Sequence, residues 1–345
     1  MFSMEKKGIV RIKAEYLGAV KQLPPFIREL KAVLPEAIID IETGDHTIAS
    51  KHTARTLRND LALEGIRASR IHINGRKNKK PDAHVSFEYH PGMAGYSPAT
   101  GFHFFIDPLK FEPRRLLTGG EIAKIRDEYF LGSKKVVLGG SIQDDELKDF
   151  VAQSERILSQ DRNTKIMIVP RCPNDAIETL KDLGVGCAFD RSSAGRDTNY
   201  TLITEVGVLD RLYSACDVAV MGDTFSWNGW GQNPLEPALY GKRIVTGPNS
   251  RLNRTAYEGL EESGLLQSVE VENIAYAVLM DDSPEGLATS QKKAAEFIKS
   301  KQGAAKAYAG LVAGVVRGEY PTERHSELVS KIAAYDSGNF GEWGY

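Results

Sequence analysis

Short apolar runs alternate with helix-period stretches along most of the chain. Gly8-Ile9-Val10-Arg11-Ile12 opens the pattern as a strand. Over residues 20–34, Leu23, Phe26, Ile27, Leu30 and Leu34 recur at the spacing of one helix face. Pro24 and Pro25 fit only the first turn of that helix. Residues 37–41 form a second strand and 53–63 a second helix, with further strands at 71–73, 83–87 and 102–106. A helix around 120–129 follows. A new series then begins at Lys135-Val136-Val137-Leu138-Gly139-Gly140-Ser141. It runs through helix 144–160, strand 166–169, helices 174–183 and 209–215, and strand 218–221. Residues 288–316 read as an Ala/Lys-rich helical stretch with mostly polar faces. Strands alternating with helices predict an α/β chain with mainly parallel, doubly wound sheets. The polar, proline-bearing stretch 108–115 approaches a boundary. The expected division is 1–112, a linker at 113–134, a second domain at 135–320 and a tail at 321–345.

Composition narrows the classes. Of 345 residues 41% are hydrophobic and 26% charged, as in a soluble globular protein, and the net charge of −2 argues against nucleic acid as a partner. The longest apolar runs, such as 311–316, are too short to span a bilayer. Residues 1–7 hold no apolar signal core, so the expected location is the cytoplasm. Cys172, Cys187 and Cys216 are odd in number and widely spaced, which fits reduced thiols and neither a disulfide frame nor a zinc site. No His, Asp and Glu group has metal-ligand spacing, and no G-x-x-x-x-G-K stretch occurs.

Chemistry concentrates after the apolar run 218–221. Gly231-Gln232-Asn233-Pro234-Leu235-Glu236-Pro237-Ala238 reads as a glycine loop entering a helix, and Arg243-Ile244-Val245-Thr246-Gly247-Pro248 as the next strand and its exit. Glycines let backbone N–H groups approach an anion, and a helix start favours it electrostatically. Asn233 suits the cap and Pro234 the first helical position. Glu236 falls in the first turn, placed to accept ribose hydroxyls. The same residues also suit a well-capped helix with no ligand.

Several segments together resemble the bacterial 3-deoxy-D-manno-octulosonic acid (Kdo) transferases. The family's G-G-H-N-P-L-E-P-A signature and its following G-P-H are matched by 233–238 and by Gly247-Pro248. Val169-Pro170-Arg171 resembles its V-P-R-H, residues 205–213 its T-M-G-E-L-x-x-L-Y, and 216–219 its A-D-V-A. Lys80-Pro81-Asp82 through Glu88 to Pro91 resembles its R-P-D…E-T-E-L-W-P. The resemblance is dense over about 165–250 and thin but collinear over about 8–107. It implies the GT-B fold, two Rossmann-like domains facing a cleft. The first would be the acceptor domain and the second the nucleotide-sugar donor domain, with closure about the linker excluding water.

By that resemblance Asn233 and Glu236 hold the nucleotide of a CMP-sugar, with Glu236 on the ribose. Arg171 faces the phosphate or the cytidine. The backbone at Val206, Gly207 and Val208 cradles the phosphate, and Gly140, Ser141 and Gly231 line the same site. No chelated metal or cofactor is implied. The family's catalytic glutamate lies in a G-E-V step, where this chain carries Gly18-Ala19-Val20. Glu15 in the same loop and Glu88 at a strand's carboxyl end are the carboxylates placed to replace it. The G-G-H becomes Gly229-Trp230-Gly231-Gln232, and Cys172 stands for the histidine of P-R-H. The family's membrane-anchoring N-terminal segment is expected to have no counterpart. Trp227 and Trp230 are added aromatics, candidates to stack a base or sugar ring or to be core or interface residues. His46 and His52 lie at the expected cleft rim, and the basic run 76–80 is a solvated loop or a patch for anionic headgroups.

The resulting expectation is an enzyme, a cytoplasmic glycosyltransferase that moves a Kdo-like ulosonic acid from a CMP-activated donor onto a lipid or glycan hydroxyl. Peripheral contact with the inner face of the membrane is part of that expectation. The alternatives are a catalytically silent GT-B relative that binds a nucleotide or glycan, and a GT-B enzyme of another sugar nucleotide, such as an epimerase.

Overall fold

The structure is a computed structural model that describes residues 9–14, 21–43, 61, 70–73, 83–88, 94–192, 198–250, 252–280 and 283–336. Two units divide the chain: Met1–Arg115 with Lys299–Tyr345, and Leu116–Ile298. Both are α/β, as the alternation of elements predicts.

The first unit is built on strands β1 (Ile9–Ala14), β2 (Ile38–Thr43), β3 (Arg70–Ile73), β4 (Ala83–Glu88), β5 (Gly95–Ser97) and β6 (Gly101–Phe105). Their order is β3-β2-β1-β4-β6-β5, parallel except for β5 against β6. Helix α1 (Leu23–Val33) starts at the residue before its two prolines, which leave no earlier turn open, and buries Phe26, Ile27 and Leu30. The predicted helix at 53–63 lies outside the described residues except for Leu61.

The chain then returns from far along the sequence. Helices α10 (Ala304–Arg317) and α11 (His325–Asp336) complete this unit's core, where Tyr308 stacks on Phe104 at 4.1 Å and Leu328 and Ile332 are buried. The boundary expected at residue 320 is therefore replaced by one at Lys299, and the expected tail 321–345 carries α11. The polar faces expected over 288–316 are corrected too. Ala304, Ala305, Tyr308, Leu311 and Val312 form one buried stripe at helical spacing. Glu112 fixes the start of α10: its Oε1 accepts the N–H groups of Gly303 at 2.8 Å and Ala305 at 3.0 Å.

The second unit begins with α2 (Gly119–Glu128), opened by a Thr118–Glu121 capping box. Arg126 donates from Nη1 to the carbonyl of Ala215 at 2.6 Å. Residues 113–134 are therefore no separate linker, since most of them are built into this unit. Its strands are β7 (Lys135–Ile142), β8 (Thr164–Pro170), β9 (Cys187–Phe189), β10 (Tyr200–Leu202), β11 (Val218–Met221), β12 (Arg243–Thr246) and β13 (Leu266–Ser268). All pair in parallel, in the order β13-β12-β11-β7-β8-β10-β9. Helices α3 (Asp144–Gln160), α4 (Pro173–Asp182), α5 (Leu209–Ala215), α6 (Leu235–Ala238), α7 (Arg254–Glu262), α8 (Ile274–Leu279) and α9 (Pro284–Ser300) connect and cover them. The central strands are buried on both faces, which explains their continuous apolar runs. No described helix is long and apolar enough to cross a membrane.

The topology of this sheet marks a place for ligand. Strand β7 comes first, the chain builds outward through β8 to the edge strand β9, inserts β10 between them, and then crosses back to lay β11 on the other side of β7. Open α/β sheets bind ligands outside the carboxyl ends of strands at such a reversal.

Candidate functional site

The carboxyl ends of β7 and β11 meet closely. The register of β7 slips between Gly140 and Ile142, with Ser141 in the left-handed region at φ 56°. Gly222 donates its N–H to the Gly140 carbonyl at 2.8 Å. A Cβ on Gly222 would collide with the Ser141 carbonyl, and one on Gly140 with the Tyr213 hydroxyl. Glycine is thus imposed at both positions by packing. Tyr213 is fully buried and donates to the sulfur of Met221 at 3.4 Å. Burial raises its pKa strongly, and the charge of nearby Glu236 raises it further. Gly140, Tyr213, Met221 and Glu236 therefore share one neighbourhood.

The loop after β11 is held from within. Glu146, only 4% exposed, accepts the N–H groups of Asp223 (2.8 Å), Thr224 (3.0 Å), Phe225 (2.9 Å) and Ser226 (3.1 Å), and also that of Gln143 (3.0 Å). At 223–226, ahead of the glycine loop that starts at Gly231, a carboxylate of the protein thus occupies the amides. Sequence reading missed Glu146. The Gln143–Glu146 capping box at the head of α3 was a visible signal, but its reach to residues 223–226 was not.

The N-P-L-E-P segment follows in a fixed turn. Gly231 sits at φ 77°, where a side chain is strained, and donates its N–H to the Asp223 carbonyl at 2.8 Å. Gln232 donates from Nε2 to Asp223 Oδ2 at 3.2 Å, and Tyr257 donates to the Gln232 carbonyl at 2.9 Å. Asn233 Oδ1 accepts the Leu235 N–H at 3.2 Å across the turn that enters the helix. The helix itself is the four residues of α6, so Pro234 takes the cap position expected of Asn233 and is not the first helical residue. Asn233 Nδ2 is buried and has no partner among the described residues. Burial raises the pKa of Asp223, against the lowering effect of the Trp230 N–H, Gln232 and Arg171.

Arg171 follows β8, is exposed, and donates its N–H to the Ile142 carbonyl at 2.8 Å. Its charge is among those that lower the Asp223 pKa. Next to it Asp144, Cys172 and Asp175 bring ligand atoms within 4.8 Å of one another, a group not read from the sequence. The charge of Asp144 leads the effects that push the Cys172 thiol pKa up. All three cysteines are free thiols.

Across β10, Asp190 at φ 48° fixes the neighbouring loop. It accepts the N–H groups of Thr204 (2.7 Å) and Glu205 (3.1 Å) and the Thr204 hydroxyl (2.6 Å). Val206 beyond it is exposed, Gly207 takes φ 84°, and Val208 is buried directly before α5. Trp227 is 84% exposed and Trp230 47%, so neither is a core residue of the unit. Gly140, Ser141, Arg171, Val206, Gly207, Val208, Gly231, Asn233 and Glu236 all lie at the carboxyl end of this sheet. Glu88 ends β4 in the first unit, opposite Phe105 on β6, as its predicted place at a strand's carboxyl end requires. Glu15, Ala19, His46, His52 and the basic run 76–80 lie outside the described residues.

No protein-family model matches the chain. Among curated proteins it is similar to the 3-deoxy-D-manno-octulosonic acid transferase of Chlamydophila psittaci, 29% identical over 150 residues, or 41% of this chain and 34% of that protein. It is also similar to the enzyme of the same name from Aquifex aeolicus, 28% identical over 148 residues, or 42% of this chain and 39% of that protein. The matched region thus spans little more than a third of these relatives' length. Among solved structures, a putative UDP-N-acetylglucosamine 2-epimerase from Listeria monocytogenes aligns with a TM-score of 0.51 at 10% identity, over 91% of this chain and 97% of that one. At that identity the likeness is one of fold, that of GT-B proteins with two Rossmann-like domains. The C-terminal CMP-Kdo binding domain of WaaA from Acinetobacter baumannii aligns over 52% of this chain at 21% identity and a TM-score of 0.47, too low to bear on the fold.

Proposed function

We propose that this chain, similar in sequence to Kdo transferases, is a glycosyltransferase that transfers a Kdo-like ulosonic acid from a CMP-activated donor to a hydroxyl of a lipid or glycan. The observation that carries the reading is Asn233. Its side-chain oxygen is committed to its own turn, while its buried Nδ2 has no partner among the described residues and is free to donate to a nucleotide. Glu236 stands one turn on and accepts ribose hydroxyls. Gly140 and Ser141, at the β7–β11 reversal, and Gly231 are assigned to the same donor site. Arg171 and the backbone of Val206, Gly207 and Val208 meet the phosphate, with no metal assigned to it.

In the reaction the acceptor oxygen attacks the anomeric carbon as its proton passes to a carboxylate, Glu15 or Glu88. The anomeric carbon–oxygen bond to phosphate breaks, and CMP leaves with the electron pair, steadied by Arg171. Peripheral contact with a membrane belongs to this reading through the lipid acceptor. Replacing each carboxylate by its amide identifies the base: the correct one of E15Q and E88Q lowers kcat about 10²–10⁴-fold, and the other leaves it nearly unchanged.

A calorimetric titration with CMP, CDP, UMP, UDP, GDP and ADP tests the donor assignment on wild type and on E236A. Selective CMP binding, weakened at least about tenfold in E236A, is the expected result. Preference for UDP or GDP overturns the CMP donor. One observation favours a second reading, the alanine at position 19 where the family carries its catalytic glutamate. A silent relative binds CMP, transfers nothing, and is indifferent to both amide substitutions.

A further inference from the structure

We infer that Glu146 is a positioning residue of the donor site, an internal anion that fixes loop 223–226 and occupies amides that would otherwise draw a phosphate. The inference rests on the nucleotide-binding reading above. Its carboxylate is buried, and five backbone N–H groups converge on it: Oε1 takes those of Thr224, Phe225 and Ser226, and Oε2 those of Asp223 and Gln143. Four successive amides pointing at one centre form an anion-binding concavity of the kind that elsewhere holds a phosphate. Here the occupant is covalently part of the chain, on the first turn of α3.

The other hydrogen bonds of the loop carry this constraint outward. Thr224 donates from Oγ1 to the Met221 carbonyl at 2.6 Å and accepts the Gly247 N–H at 2.7 Å. Asn249 donates from Nδ2 to the Ser226 carbonyl at 2.8 Å. One carboxylate on α3 thereby ties together the exits of β7, β11 and β12. Asp223 leads on to Gly231 and Gln232, and so to Asn233. A phosphate therefore finds its donors at Arg171 and at 206–208, and Glu146 serves the nucleoside side of the ligand by holding Asn233 in register.

The test compares cytidine with CMP, by calorimetry, on wild type, E146Q, E146D and R171A, with amide hydrogen exchange over 222–231. In E146Q an NH₂ faces amide donors, so at least two of the five bonds are lost. The expected result is equal weakening of cytidine and CMP by at least about tenfold, together with faster exchange at 223–226. E146D, which keeps the charge, recovers part of both. R171A weakens CMP and spares cytidine. The inference is overturned if E146Q tightens CMP or weakens CMP alone, because the loop amides would then be the phosphate site. Faster exchange with both affinities unchanged also overturns it, leaving Glu146 a structural brace. A wild type that binds neither ligand overturns the nucleotide reading itself and the role of Glu146 within it.

Discussion

Carboxylates aimed at backbone amides recur at the residue scale: Glu112 on the start of α10, Glu146 on loop 223–226, Asp190 on loop 204–205. None of these roles was legible in the sequence. Glu112 reaches an amide 191 positions away, and a local reading of a glutamate sees only its neighbours. The turn at Asn233 was legible because its side chain acts within two residues of itself, on the Leu235 N–H, although the cap position falls to Pro234. Removing Glu112 takes the acceptor from the half-buried N–H of Gly303 and the buried N–H of Ala305. E112A is expected to cost about 2–3 kcal/mol in chemical denaturation. Lys165 gives a pH signature. Fully buried, with Nζ donating to the Thr198 carbonyl at 2.7 Å, its pKa is lowered by burial from 10.5 to about 8. Below about pH 8 the lysine is charged in both states, and the folded protein bears the whole cost of burying it. Between about 8 and 10.5 the folded lysine has lost its proton while the unfolded one keeps it. Its contribution to unfolding free energy therefore rises with pH across that window and levels off above it. Urea titrations at pH 7.5 and 9.5 on wild type and K165M check this, since the rise should be smaller in the variant.

Elements were legible in proportion to their length and to how local their signal is. Helices at 144–160 and 209–215 and the strand at 218–221 fall where the pattern places them. The three-residue strands β5, β9, β10 and β13 carry too few positions for any period to show, and only their pairing partners define them. Helix α10 was legible as a helix but not as a core element. Its stripe of alanines, Tyr308, Leu311 and Val312 is modest in hydrophobicity and gains its meaning from Phe104, on which Tyr308 stacks nearly parallel. Tyr308 also donates to the Phe105 carbonyl at 3.2 Å. Y308A is therefore expected to destabilise the first unit by about 3–5 kcal/mol, measured by its denaturation midpoint, with the second unit's transition unmoved.

The two α/β units were foreseeable from two series of alternating elements, while their limits were not. Sequence reading assumes that neighbours along the chain stay together, and the return of Lys299–Tyr345 to the first unit breaks that assumption. A chain stopped after Ile298 loses α10 and α11 together. In scanning calorimetry it is expected to keep the second unit's transition and lose that of the first, which limited proteolysis would confirm as early cleavage before residue 116.

This return also sets an order of events at the ribosome. The first unit cannot close its core when its own strands emerge, because the stripe that covers Phe104 is made last. Synthesis of Leu116–Ile298 takes roughly 10–40 s at ordinary translation rates. For that interval the second unit can fold as it emerges while the earlier strands wait with apolar faces open. Nascent first-unit strands are thus natural clients for a chaperone, and slowing elongation between the two would lengthen their exposure.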